Sequence, residues 1–225
     1  MSTDSRDRRS FLTALAASSA ALAASGAALH FDAGTADAEV VPPIGFSDAW
    51  LGKLTGKHKQ FFDATTVNSG FPLVFAMNFL NSNNDALKLS DAQISAVVGL
   101  RHFAAPLGFT DDIWAKYKIG ESLGIMNPQT KQPATHNFVY HPQDGDLAFP
   151  AAAMEKLMAR GVQFTVCNVA MTALSGMMSK NAGVTPDAAR SEWLAGMIPG
   201  TVLVPSGVMA VNRAQEKGCT YCNGG

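Results

Sequence analysis

The sequence carries almost no net charge and very little cysteine. Its 225 residues hold 17 Lys and Arg against 18 Asp and Glu. Setting aside residues 1–38, with Arg6, Arg8, Arg9 and Asp4, Asp7, Asp32, Asp37, leaves 14 of each sign. No long basic run remains, which excludes the electrostatic footprint of a nucleic-acid-binding domain. Past residue 38 no apolar run reaches bilayer-spanning length, so no membrane partner is expected there. A glycine-rich phosphate loop and a Gly-x-Ser-x-Gly elbow are missing, so nucleotide and esterase chemistry have no motif. HExxH and HxxxH are absent as well. His102, His136, His141 and Cys167 are not at ligand spacings on one element, and no metal or cofactor is implied.

What is present begins at the N-terminus. Arg6, Arg8 and Arg9 precede Ser10-Phe11-Leu12, and a mild Ala-rich apolar run extends from Phe11 to Leu29. A basic start, an apolar run and small residues around Ala36-Asp37-Ala38 form a secretory signal. The adjacent arginines before Phe-Leu mark its twin-arginine (Tat) form. The expectation is a signal peptide over residues 1–38, the Tat export machinery as partner, and a periplasmic or secreted product. Residues 39–57, with Pro42-Pro43 and three glycines, read as a linker and lead-in, and residues 58–225 as the folded domain.

The cysteines are Cys167, Cys219 and Cys222. An odd count in an exported protein suggests one pair and one free thiol. Cys219 and Cys222 are close enough in sequence to pair, and they lie after the last helix rather than before one. A structural disulfide between them is expected, with Cys167 left over.

Along the domain, β-type runs alternate with helical patterns. Strands are predicted ending at Asp63, over Ile94–Leu100, over Val162–Cys167, over Thr201–Val204, and over the terminal Cys219–Tyr221. Helices are predicted over Phe71–Leu80, from an N-cap at Thr110 to about Leu123, over Phe149–Arg160, after Cys167, after Thr185, and after Ser206. Phe109 is placed to staple onto Trp114. A polar loop, Asn127 to Asp146, is the longest irregular stretch. The alternation predicts an α/β fold with a mostly parallel sheet of four or five strands, covered on both faces.

Ligands of such sheets gather outside the carboxyl ends of the strands. That rule singles out Asp63, Arg101, His102, Cys167, Asn168 and Ser206. Cys167 stands where a strand gives way to a helix, and free N–H groups there favour the reactive thiolate. A free cysteine is also among the most commonly buried residues, so packing alone is the competing reading. His102 is the candidate to orient or deprotonate Cys167. Asp63, Arg101, Asn168 and Ser206 are candidate binding groups.

Four blocks carry a resemblance. Gly161-Val-Gln-Phe-Thr-Val-Cys167-Asn168 followed by a helix resembles DsrE/DsrF-like proteins. Leu203-Val-Pro-Ser-Gly207-Val208 with its following helix resembles that family's closing segment. Val98-Gly-Leu-Arg101-His102 and Asp112-Ile-Trp114-Ala-Lys116-Tyr117 resemble its exported members. The similarity covers roughly residues 58–221. It implies a three-layer α/β sandwich, a trimeric or hexameric homo-oligomer, and a cysteine after a central strand that carries sulfur as a persulfide. Cys167 matches that position. The reading at this point is an exported thiol or persulfide protein handling a sulfur compound, or alternatively a non-catalytic module that binds a small molecule or assembles with itself.

Overall fold

Five runs of residues extend side by side, and the inner three bury side chains on both faces. In the computed structural model, which describes residues 45–225, they are β1 (His58–Ala64), β2 (Ile94–Leu100), β3 (Gln163–Cys167), β4 (Val202–Val204) and β5 (Thr220–Asn223). The order across the sheet is β4-β3-β2-β1-β5 and every pairing is parallel. All seven residues of the central strand β2 are buried, as a strand covered on both faces requires. The expected signal peptide lies outside the described residues. Among them, no helix is long and apolar enough to cross a membrane.

The helices are α1 (Phe71–Leu87), α2 (Asp111–Lys116), α3 (Ile119–Leu123), α4 (Met154–Ala159), α5 (Asn168–Ala182), α6 (Pro186–Ala195) and α7 (Gly207–Glu216). The two helical layers are unequal. Phe62, Val98, Leu100, Phe164 and Val166 point into a large core shared with α1 to α6. Phe61, Val97 and Val204 point the other way, onto Ala210 and Ala214 of α7. Strands β1 to β4 step in one direction and β5 returns to the far side of β1, so the crossover α7 covers the opposite face. The result is a three-layer α/β sandwich.

The lead-in joins this thinner layer. Ser47 caps a 3-10 helix over Asp48–Lys53 by accepting from the Ala49 N–H. Trp50, Leu51 and Leu54 bury against Phe61, Val97 and α7, and Asp48 pairs with Arg213 at 2.6 Å. From Asp48 onward the expected linker is therefore part of the fold.

Several boundaries depart from the sequence expectation for local reasons. Helix α1 runs to Leu87, beyond the predicted Leu80. Arg160 anchors its extra turns by donating to Asn81 and Asn84 while pairing with Asp91. The helix expected from Thr110 to Leu123 breaks at Lys118, which takes a left-handed φ of 48°. Asn181 donates to the Tyr117 carbonyl at that break. Phe109 stacks on Trp193 at 4.8 Å, while the Trp114 indole faces Phe138 and donates to the Pro106 carbonyl.

The Asn127–Asp146 loop is held by buried polar groups. Asn137 donates to the carbonyls of Leu107 and Phe109. Asp146 accepts from Asn127, from the Gln143 N–H and from His136. Buried loop backbone needs such partners, because water cannot supply them.

The expected Cys219–Cys222 disulfide is absent: both are free thiols. Successive strand side chains alternate faces, so residues three apart point oppositely. Cys219 packs in the α7-side core and Cys222 against the other. Burial pushes both thiols up from their ordinary value, toward the neutral form.

Candidate functional site

At the carboxyl end of the sheet, three strands end beside one another and leave an open cleft of about 490 Å³. Strand β2 leads directly into Arg101, His102 and Phe103, and β3 ends in Cys167. The first two turns of α5 contribute Val169, Ala170, Ala173 and Leu174, and the β4–α7 turn contributes Ser206, Gly207 and Val208. Four of the six residues singled out by strand-end position, Arg101, His102, Cys167 and Ser206, therefore line one cleft. Asp63 supports it from below, and Asn168 turns elsewhere.

Cys167 is the N-cap of α5. Its extended backbone (φ −73°, ψ 114°) lets Sγ accept from the Ala170 N–H at 3.4 Å. A sulfur seated there takes over an otherwise orphaned helical donor. Cys167 is only 6% exposed, well below the partial exposure expected for a surface thiol. Access to it runs through the cleft.

Arg101 stands on the same face of the sheet, one step beyond the in-register pair Leu100–Val166. Its Nε and Nη2 donate to the two carboxylate oxygens of Asp63 at 2.7 and 2.8 Å. Asp63 is buried, and the Tyr221 hydroxyl donates to its Oδ2 at 3.0 Å. The Asp63 hydrogen bond holds the Arg101 guanidinium further above its already high value; burial opposes this, and the charges of Asp63, Tyr221 and Cys167 add to it. The Arg101 stem lies against Gly207: a Cβ there would meet Arg101 Cβ at 2.5 Å and Cδ at 2.6 Å. Only glycine lets the first turn of α7 approach the arginine this closely.

His102 adopts a left-handed φ of 53°, uncommon for a residue with a Cβ. Its ring is exposed and stacks edge-on with Phe103 at 4.6 Å. Among the described residues, no hydrogen bond joins it to Cys167, so the expected histidine–cysteine dyad is not assembled. Asn168 faces away from the cleft, where its Oδ1 accepts from Arg190 at 3.4 Å. Ser206 caps α7 by accepting from the Met209 N–H. His136 pairs with Asp146 in the long loop and His141 stacks on Tyr140, so neither joins Cys167. Among the described residues, no three His, Cys, Asp or Glu side chains converge on a point.

Sequence reasoning missed Tyr221 and Gly207. Tyr221 sits in register with Phe61, so its side chain shares the face of Phe61 and Asp63. The terminal β pattern was visible, but its place beside β1 was not. No protein-family model matches the chain, and comparison with curated proteins and with solved structures gave no match.

Proposed function

We propose that the cleft is a thiol site, that Cys167 is its reactive group, and that the protein handles sulfur compounds after export through the twin-arginine route. The observation that carries this reading is the seat of Cys167: its sulfur caps α5 at the floor of an open cleft, beside the Arg101 charge. A thiolate there attacks the terminal sulfur of a persulfide donor, R–S–SH. The donor S–S bond breaks, R–S⁻ leaves, and Cys167 becomes Cys–S–SH. The transfer is redox-neutral and needs no cofactor. Arg101 and the α5 N-terminus stabilise the negative charge before attack and on the persulfide afterwards. His102 lines the approach to the cleft.

The test is mass spectrometry of the purified protein after exposure to a small-molecule persulfide. A gain of one sulfur atom on Cys167, absent in Cys167→Ser, supports the reading. Modification confined to Cys219 or Cys222 refutes it.

A second reading is a binding module without thiol chemistry. The 6% exposure of Cys167 and the apolar walls of the cleft favour it. Self-association belongs to either reading. Val169 and Val208 at the cleft, Met177 further along α5 and Met209 on α7 are large exposed apolar side chains, and exposed apolar patches mark contact surfaces. Sedimentation should give a homo-oligomer, trimeric or hexameric; a monomer at micromolar concentration contradicts this.

A further inference from the structure

The same cleft has a chemical polarity that thiol chemistry does not require. Its walls are hydrocarbon: Phe103, Val169, Ala173 and Leu174 on the one side, Val208 on the other. Its charged and polar groups gather at the strand ends. Arg101 commits Nε and Nη2 to Asp63, and Nη1 meets no acceptor among the described residues. Helix α7 is ten residues long and its first turn opens onto the cleft. The Ser206 hydroxyl and carbonyl take the N–H groups of Met209 and Ala210. The N–H groups of Gly207 and Val208 find no acceptor among the described residues. Cys167 is more than nine-tenths buried and its sulfur borders the same space. It accepts one hydrogen bond, and its own S–H has no acceptor among the described residues. No carboxylate is among the residues lining the cleft; the one nearby, Asp63, sits below with both oxygens engaged.

We infer that the cleft binds an organic anion: a compact anionic head on an apolar body. The head sits between Arg101 Nη1 and the free N–H groups opening α7, and the body lies along α5. A volume of about 490 Å³ suits a molecule of that kind, since small-ligand sites run from roughly 300 to 1,000 Å³ with mostly apolar walls and a few polar groups that fix orientation. Donors at a helix N-terminus beside a guanidinium select negative charge. Hydrocarbon walls select against small inorganic anions, which gain nothing from them. This inference shares the cleft with the proposed thiol site but does not depend on Cys167 being reactive.

The test is isothermal titration calorimetry on the full-length protein with decanoate, acetate and decyltrimethylammonium. Decanoate supplies both head and body, acetate the head alone, and decyltrimethylammonium the body with the opposite charge. The expected result is saturable binding of decanoate, with each of the other two weaker by about tenfold or more. Val208→Asp sets a carboxylate at the opening of α7, where the helix tolerates it, and should weaken decanoate by roughly tenfold. Its thermal unfolding and sedimentation are compared with wild type to establish an intact fold and assembly. Absence of saturable decanoate binding at millimolar concentration overturns the inference. So does equal affinity for decyltrimethylammonium, or a folded Val208→Asp variant that binds decanoate unchanged. An inert Cys167 with intact decanoate binding removes the thiol reading alone; a reactive Cys167 without decanoate binding removes this inference alone.

Discussion

Arg101 closes a two-point hydrogen-bonded pair on Asp63, with Nε and Nη2 at 2.7 and 2.8 Å from the two carboxylate oxygens. The partners are unequally placed: the Asp63 side chain is 2% exposed and that of Arg101 25%. Removing the arginine strands a buried carboxylate with only Tyr221 as a side-chain donor. Removing the carboxylate leaves a guanidinium that still reaches water. Arg101→Met should therefore cost about 3 kcal/mol or more. Asp63→Asn, which keeps an acceptor oxygen, should cost roughly 1–2 kcal/mol. Urea unfolding of both variants checks the order, and equal losses would contradict this asymmetry.

Gly207 is the second support of that arginine. A methyl group added there falls 2.5 Å from Arg101 Cβ. Gly207→Ala should destabilise by about 1–3 kcal/mol, because the start of α7 must back away or the arginine stem must leave its place. Ala at an unstrained helix start otherwise stabilises, so an unfolding midpoint at or above wild type would show that the contact is soft.

The long loop should respond to acid. Burial raises the Asp146 carboxyl, but hydrogen bonds from His136, Asn127 and the Gln143 N–H outweigh it and hold the group below its usual range. A carboxylate lowered on folding contributes stability above its unfolded value, near 3.9, and loses it as pH falls through the folded value. Asp146→Asn should thus cost roughly 1–3 kcal/mol at neutral pH. Its deficit relative to wild type should narrow below about pH 4. A deficit independent of pH would assign the loss to shape rather than charge.

The cysteines should separate by location. Cys219 and Cys222 point to opposite faces of the sheet, and residues three apart in an extended strand lie about 10 Å apart at Cα, beyond the roughly 7 Å that a disulfide can bridge. Non-reducing peptide mapping of the folded protein should recover both as free thiols. Alkylation at neutral pH should reach Cys167 first, since the cleft opens onto it, while burial pushes the Cys219 and Cys222 thiols up from their ordinary value. A recovered Cys219–Cys222 crosslink would contradict the strand register at β5.

The sequence by itself determined the elements and the edge at which the cleft lies. The Val- and Ile-rich run over Ile94–Leu100 is β2 residue for residue, because a strand buried on both faces is predominantly apolar; its one polar side chain, Ser95, is satisfied by the Gly56 N–H. The side chains of Thr185 and Ser206 cap their helices as their residue types require. Parallel strands then send all their carboxyl ends to one edge, which is how Arg101, His102, Cys167 and Ser206 could be grouped without coordinates. Only the tertiary structure decided which strands are neighbours and which way each side chain turns. Placing β5 beside β1 brings Tyr221 to Asp63. Crossing α7 to the opposite face lays Gly207 on Arg101. The α5–α6 contact draws Asn168 to Arg190 and out of the cleft, and strand alternation parts Cys219 from Cys222. Local patterns record the period and ends of an element, whereas partners brought together across long stretches of chain are selected by packing the whole core at once.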